Sequence, residues 1–586
     1  MLKLFKNFKK IDYLYLLIVT LLIFFQVYLD LKLPDYMSNI TVLVKTEGSK
    51  MSEILNEGGK MLLCAGGSLL SAVVVCYFTS LISARYSRGL RKKIFMNVES
   101  FGMEEMKKFS TGSLITRTTN DITNVQMFIS MGMQMMIKAP ITAVWTIMKI
   151  LNKNITWSIM TGGFVLVMLT IVLFLMIFVM PRFKVIQKLI DKINSLMREE
   201  LNGIRVVRAF NAEEYQENKF DKVNSELTDV QEFTQKALSI MSPVMYLVMN
   251  LLTLGIYFVG AGLINNATLG LKIGMFSDMV VFSSYAMQVI MSFLMLAVSF
   301  IMYPRTSISI DRIEEVINTK SNIVDGDVKT PTKTKGEIEF KNVSFKYPDG
   351  EDYVLKDISF TVKKGETVAF IGSTGSGKST LINLIPRFYD ATDGEVIVDG
   401  VNVKDYTLKV LHDKLGYISQ KAMMFQTSIK NNITYGDNGK GNITDEKVKE
   451  ALKISESEEF VSKLEGKENF KLAESATNVS GGQKQRLSIA RAIARNPEIY
   501  LFDDTFSALD YKTDAKLRSN LKKYTKDATI LIVAQRIGTI MNADKIVVLD
   551  EGKVVGMGKH KDLLKNCPVY KEIAYSQLGK EELENA

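Results

Sequence analysis

The chain has 586 residues, more than one hydrophobic core serves, so at least two domains are expected. Hydrophobic residues make up 47% against 23% charged, which places part of the chain outside water. The formal net charge of +10 points to a membrane surface far more than to nucleic acid, because the basic residues flank apolar runs, and no nucleic-acid partner is expected. Three cysteines give no disulfide framework, and Cys64 and Cys76 would stand about 18 Å apart on one helix, too far to bridge.

Lys3 to Lys10 is a short basic amphipathic segment, with the apolar run Tyr13 to Tyr28 behind it. No small-residue cleavage site follows, so it reads as a retained first span rather than a signal peptide. Five further runs, near Met61–Ala84, Val125–Ile150, Trp157–Met180, Ala237–Ile264 and Met279–Tyr303, have the length needed to cross a bilayer core. Arg85, Arg88, Arg91, Lys92, Lys93 and Arg117 follow span two, and Arg182, Lys184, Lys188, Arg198 and Arg205 follow span four. That asymmetry places these segments, both termini and any soluble domain in the cytoplasm of a multi-pass cell-membrane protein.

The two cytoplasmic connections, Ser83–Asn124 and Pro181–Lys236, are long and keep helical periodicity, so the spans should extend well beyond the bilayer. Polar breaks at Ser110-Thr-Gly-Ser113 and Phe210-Asn-Ala-Glu213 are the places expected for short crosswise helices. Lys138 is the one basic residue near mid-span, with Pro140 close by; it is a candidate substrate contact, or a lysine that snorkels. Met131, Met133, Met135 and Met136 are span filler or an adaptable apolar pocket. The resulting cavity is expected to be Met-rich and nearly uncharged.

The organisation read from these shifts is a membrane domain over 1–306, a polar linker over 307–335 and a soluble α/β domain over 336–586. Within the last, Gly372-Ser373-Thr374-Gly375-Ser376-Gly377-Lys378-Ser379-Thr380 fits G-x-x-x-x-G-K-[ST]. The run Thr367, Val368, Ile371 before it reads as a strand, and Leu381–Ile385 after it as a helix. Its glycines let backbone N–H groups converge on phosphate oxygens, Lys378 adds a point charge, and Ser379 offers a hydroxyl to Mg²⁺.

Other residues fall around this loop in a definite order. Tyr347 is an aromatic placed to stack on a purine, and Gln420 follows the strand Leu415–Ser419, its amide within reach of a metal or lytic water. Ser480-Gly481-Gly482-Gln483 opens the helix Lys484–Ala494 as a second glycine-rich phosphate binder. The buried strand Ile499–Phe502 ends in Asp503, placed to hold Mg²⁺ through water; Ser507–Asp510 follows, and the strand Thr529–Ala534 ends at Gln535.

Taken together these motifs resemble a half-transporter of the ATP-binding cassette (ABC) exporter superfamily, over nearly the whole chain. The resemblance implies six helices in an α-helical membrane domain fused to an α/β P-loop domain, with ATP and Mg²⁺ as cofactors. It makes Tyr347 the A-loop aromatic, Gly372–Thr380 the Walker A loop, Gln420 the Q-loop, Asn478–Gln483 the signature, Asp503 the end of Walker B and Ser507–Asp510 the D-loop. It further implies two nucleotide domains meeting head to tail, each ATP lying between one chain's Walker A and the other's signature. Leu114–Asp121 and Gly203–Tyr215 are similar to the family's coupling-helix regions.

Three positions depart from the family pattern. Where a glutamate normally follows Walker B as general base stands Asp504, its carboxylate roughly 1.5 Å further back. The switch position, normally histidine, is Gln535, whose uncharged amide lacks imidazole's proton chemistry. Ala473-Glu-Ser-Ala-Thr477, ahead of the signature, lacks the usual glycines. Two changes beside the chemistry, with Ser480–Gln483 intact, resemble the degenerate-site subunit of a heterodimeric multidrug exporter, whose partner brings the competent Glu and His. The expected cargo is amphipathic, drug or lipid. A peptide exporter and an ATP-gated channel are the alternatives. The absence of a peptidase-like extension before span one weighs against the former, and the scarcity of charge in the spans against the latter.

Overall fold

The computed structural model describes residues 8–46, 48–151, 155–330, 332, 334–436 and 441–578, so most of the basic segment Lys3–Lys10, parts of the linker and the last eight residues lie outside them. The chain packs as two units, Met1–Glu99 with Thr111–Thr319, and Ser100–Ser110 with Lys320–Ala586.

Helices come in the order α1 (Lys10–Lys45), α2 (Met51–Glu99), α3 (Met103–Lys108), α4 (Thr111–Leu151), α5 (Ile155–Ala209), α6 (Glu213–Asn265) and α7 (Leu269–Asn318). All but α3 are long and apolar enough to cross a membrane, and each expected span lies inside one of them. At 55 residues α5 is about 80 Å long against about 30 Å of hydrocarbon, so it runs far into water. Two stretches of α4, Arg117–Asp121 and Phe128–Gly132, are π-helical. The first of them is pinned to α7: Arg117 donates to Glu315 at 2.8 Å and to the Arg312 carbonyl at 2.6 Å, while Ser309 donates to Asp121.

There is no separate short helix at Ser110–Ser113, where α4 is already starting; a six-residue helix, α3, lies upstream. Its six residues are too few to show periodicity, yet their charges fit the helix dipole: Glu104 and Glu105 in the first turn, Lys107 and Lys108 in the last. Glu105 accepts from the N–H groups of Gly102 and Asn322, which closes the helix start. At Phe210–Ala212 there is no separate helix; a tight turn through Asn211, at φ 50°, joins α5 to α6. Helix α7 continues to Asn318, so the linker expected from residue 307 begins as helix, its polar residues being the solvated end of a long span.

The second unit holds two sheets. One is antiparallel, in the order β2 (Leu355–Val362), β1 (Ile338–Phe345), β4 (Asp393–Val398), β5 (Val401–Asn402). The other runs β10 (Lys553–Gly558), β9 (Lys545–Asp550), β3 (Thr367–Gly372), β8 (Thr529–Val533), β7 (Ile499–Asp503), β6 (Leu415–Ile418), parallel from β9 to β6. Strands β7 and β8 are buried at every residue, as parallel strands covered on both faces must be. Alternation sorts their side chains into two cores. Ile371, Phe502, Ile532 and Val548 pack on one face, and Phe370, Leu501, Leu531 and Val547 on the other.

Candidate functional site

Four of the parallel strands end on one edge of the sheet, and each end carries a residue singled out in the sequence: β3 leads into the phosphate loop, β6 toward Gln420, β7 into Asp503 and Asp504, β8 toward Gln535. Ligands of open α/β sheets bind at these carboxyl ends. There a cavity of about 630 Å³ is lined by Gly372–Gly375, Gly377–Thr380, Gln420, Asp504 and Gln535. Its size suits a nucleotide.

The loop between β3 and helix α8 (Lys378–Leu384) owes its shape to glycine. Gly377 has φ 95°, and a Cβ there would stand 2.7 Å from a Leu355 methyl. The Lys378 ammonium donates to the carbonyls of Gly372 (2.9 Å) and Ser373 (2.7 Å) and to Ser376 Oγ (3.2 Å), so it rests on the loop it serves. Burial holds its pKa below the usual lysine value, partly offset by Asp504 and Asp503. Ser379 Oγ donates to Asp503 Oδ1 at 2.6 Å, and burial raises the Asp503 carboxyl above the ordinary range. A hydroxyl beside a buried carboxylate, with the carboxamide oxygen of Gln420 on the same cavity, is an oxygen set that fits Mg²⁺.

Asp504, the residue expected at the base position, receives two amide donors. Gln420 Nε2 donates to Asp504 Oδ2 at 3.0 Å, and Gln535 Nε2 donates to the same oxygen at 2.7 Å. Asp504 itself is buried and sits in left-handed backbone at φ 46°. Tyr347 is tethered to the loop through its hydroxyl, 2.9 Å from Thr380 Oγ1. Its ring stands edge-on to Phe345 and Tyr389, with the Lys107 ammonium of α3 4.5 Å from its centre.

Ser480–Gln483 do not line this cavity. They start helix α9 (Gly481–Arg495), where Ser480 Oγ accepts from Gln483 N and Gln483 Oε1 accepts from Ser480 N at 2.8 Å. Asn478 braces the approach, its Oδ1 accepting from Ala473 N and its Nδ2 donating to the Lys471 carbonyl.

Two family descriptions match the chain: ABC transporter transmembrane region over residues 16–293, and ABC transporter over residues 355–507. An uncharacterised ABC transporter ATP-binding protein of Mycobacterium tuberculosis is 35% identical over 549 residues, covering 92% of this chain and 93% of that one. The chain belongs to the ABC transporter family. A Staphylococcus aureus ATP-binding/permease protein named for multidrug export is 32% identical over 514 residues, 85% of each chain. The fold is that of a bacterial Atm1-family ABC exporter solved with ATP bound, at TM-score 0.82 and 23% identity over 95% of this chain and 98% of that one. This ABC transporter is therefore a half-transporter, one multi-pass membrane domain fused to one ATP-binding domain.

Some residues at the ATP-binding domain's site carry no motif. Helix α10 (Pro568–Gln577) brings Ile573, Ser576 and Gln577 to the cavity wall. Gln577 Nε2 donates to the Gln535 carbonyl at 2.7 Å and its Oε1 accepts from Ile537 N at 2.9 Å, so it spans the turn that carries Gln535. In the membrane domain Asp30 and Asp35, beyond the apolar run that ends at Tyr28, pair with Lys138 and Lys149. Both pairs join α1 to α4.

Proposed function

We propose that this chain is the degenerate-site half of a heterodimeric exporter that uses ATP to move amphipathic compounds out of the cytoplasm or the inner leaflet. The observation that carries the reading is the double capture of Asp504 Oδ2 by Gln420 and Gln535. A general base needs a free lone pair within hydrogen-bond reach of the attacking water, and general-base help is worth about 10²–10⁴-fold. Here Oδ2 already accepts from two amide donors, on a carboxylate one methylene short. Lys378, Ser379, Asp503 and Gln420 keep the means to bind MgATP. Signature residues Ser480–Gln483, intact and away from the chain's own cavity, would complete the partner's site. The basic segments after spans two and four support a cytoplasmic ATP-binding domain and cytoplasmic termini.

The test is a ranking of steady-state ATPase in the co-expressed pair. Ser480→Arg places a bulky cation against the partner's γ-phosphate and should nearly abolish activity. Lys378→Ala should fall between, because ATP held at the slow site still joins the domains. Asp504→Asn should do least. Asp504→Asn as damaging as Ser480→Arg would make this chain's own site the catalytic one.

A further inference from the structure

Two lysine–aspartate pairs join α4 to α1 inside the membrane domain, and they are unequal. Lys149 Nζ meets Asp35 Oδ2 at 2.7 Å, and Asp35 Oδ1 accepts from the fully buried Tyr285 hydroxyl of α7 at 2.7 Å. That pair is closed on both sides. Lys138 Nζ reaches Asp30 Oδ2 only at 3.4 Å, while Ser68 of α2 already donates to Asp30 Oδ1. Among the described contacts Lys138 has this single long bond, so an ammonium with three donors keeps two unspent.

Its position makes that surplus costly. Counted from Tyr13, Asp30 lies about 25 Å along α1, within a hydrocarbon core about 30 Å thick. Lys138 lies about 20 Å before the end of α4. The Lys138 contact at 3.4 Å is looser than that of Lys149 at 2.7 Å, and a charge within a span is a functional-site candidate by default. Lys138 keeps 22% of its side chain exposed. Met135 and Met131 precede it by three and seven residues, on the same side of α4, and Met131 is 58% exposed. A cation at the end of an adaptable apolar stripe matches a molecule with an anionic head and an apolar tail. A cationic head would have to compete with Lys138 for Asp30, whereas an anion takes donors that are free.

We propose that Lys138 is the headgroup subsite of the transported amphiphile, for a carboxylate, sulfonate or phosphate whose tail runs along Met135 and Met131. The assignment rests on the exporter reading above. Asp30 holds the ammonium in the empty protein and shares it with the arriving anion.

Trp145, one of two tryptophans, lies seven residues beyond Lys138, about 10 Å along the same helix, and serves as an energy-transfer donor. The full-length chain in lipid nanodiscs is titrated with dansyl-labelled undecanoate and with the neutral undecanol of the same tail. Undecanoate should give saturable transfer and bind about tenfold tighter than undecanol, the value of a charge-assisted hydrogen bond in this setting. Lys138→Met should bring undecanoate down to the level of undecanol, Lys138→Arg should retain the difference, and Asp30→Asn should tighten undecanoate. Equal binding of the two probes by the unaltered chain, or undecanoate binding that survives Lys138→Met, overturns the subsite and leaves the exporter reading standing. Saturable binding of neither probe overturns both.

Discussion

Gln535 donates its carboxamide to Asp504 across 2.7 Å, joining the ends of the neighbouring strands β7 and β8. The two side chains are matched: a histidine at 535 would find the aspartate withdrawn, and a glutamate at 504 would push its carboxylate into the amide. Asp504→Glu and Gln535→His together should raise the turnover of the purified chain, by up to about 10²–10⁴-fold. Either one alone should raise it little, because groups acting as a unit are not additive. Phosphate release at saturating MgATP measures both.

Gln577 fixes the backbone on both sides of Arg536. Gln577→Met keeps the bulk and removes both bonds, each worth about 1 kcal/mol. It should speed amide exchange at Gln535–Ile537 while leaving the sheet unchanged. Gln577→Glu should be worse, since the oxygen replacing Nε2 confronts the Gln535 carbonyl. Hydrogen–deuterium exchange on the 534–538 segment reads both variants; an exchange pattern equal to that of the unaltered chain would reduce Gln577 to surface.

Lys414 is buried between Asp399, at 2.6 Å, and Glu498, at 3.0 Å. Asp399 follows β4 of the small sheet and Glu498 precedes β7 of the large one, so the lysine joins the two. Burial lowers its pKa, but the two carboxylates outweigh that and hold it above the usual lysine value. Lys414→Met strands an aspartate with no side-chain exposure and should cost about 3–5 kcal/mol. The melting transition of the ATP-binding domain, followed in the full chain, checks this.

Ser475 and Ala476 have φ of 53° and 52°, in the segment just ahead of Ser480–Gln483. A left-handed L-residue costs about 1–2 kcal/mol, part of which glycine returns as chain entropy. Ser475→Gly should therefore stabilise the domain by about 0.5–1 kcal/mol, seen as a rise in the same melting transition. Ala476 is fully buried, and shortening it would lose packing as well.

The sequence was most legible where function is local. Gly372–Thr380 declares itself because one loop makes the phosphate cradle from consecutive backbone groups, and β7 and β8 because burial on both faces demands an unbroken apolar run. What escaped depends on distance in the chain. Gln577 meets its partner 42 residues away and belongs to no pattern. Asp30 and Asp35 follow an apolar run that ends at Tyr28, and only α4, folding alongside, shows that the helix carries them to Lys138 and Lys149. Helix α3 was missed by a few residues because six positions hold less than two turns.

The assignment of Ser100–Ser110 to the second unit changes how force can pass along this molecule. With one linker a domain is a flag on a string and can swivel without its neighbour noticing. Here the chain crosses between units three times, at Glu99–Ser100, Ser110–Thr111 and Thr319–Lys320, and each crossing is a single peptide bond at or beside the end of a long helix. A tug on the second unit is thus felt at the ends of α2, α4 and α7 in the same instant, as a puppet's control bar moves three strings with one turn of the hand.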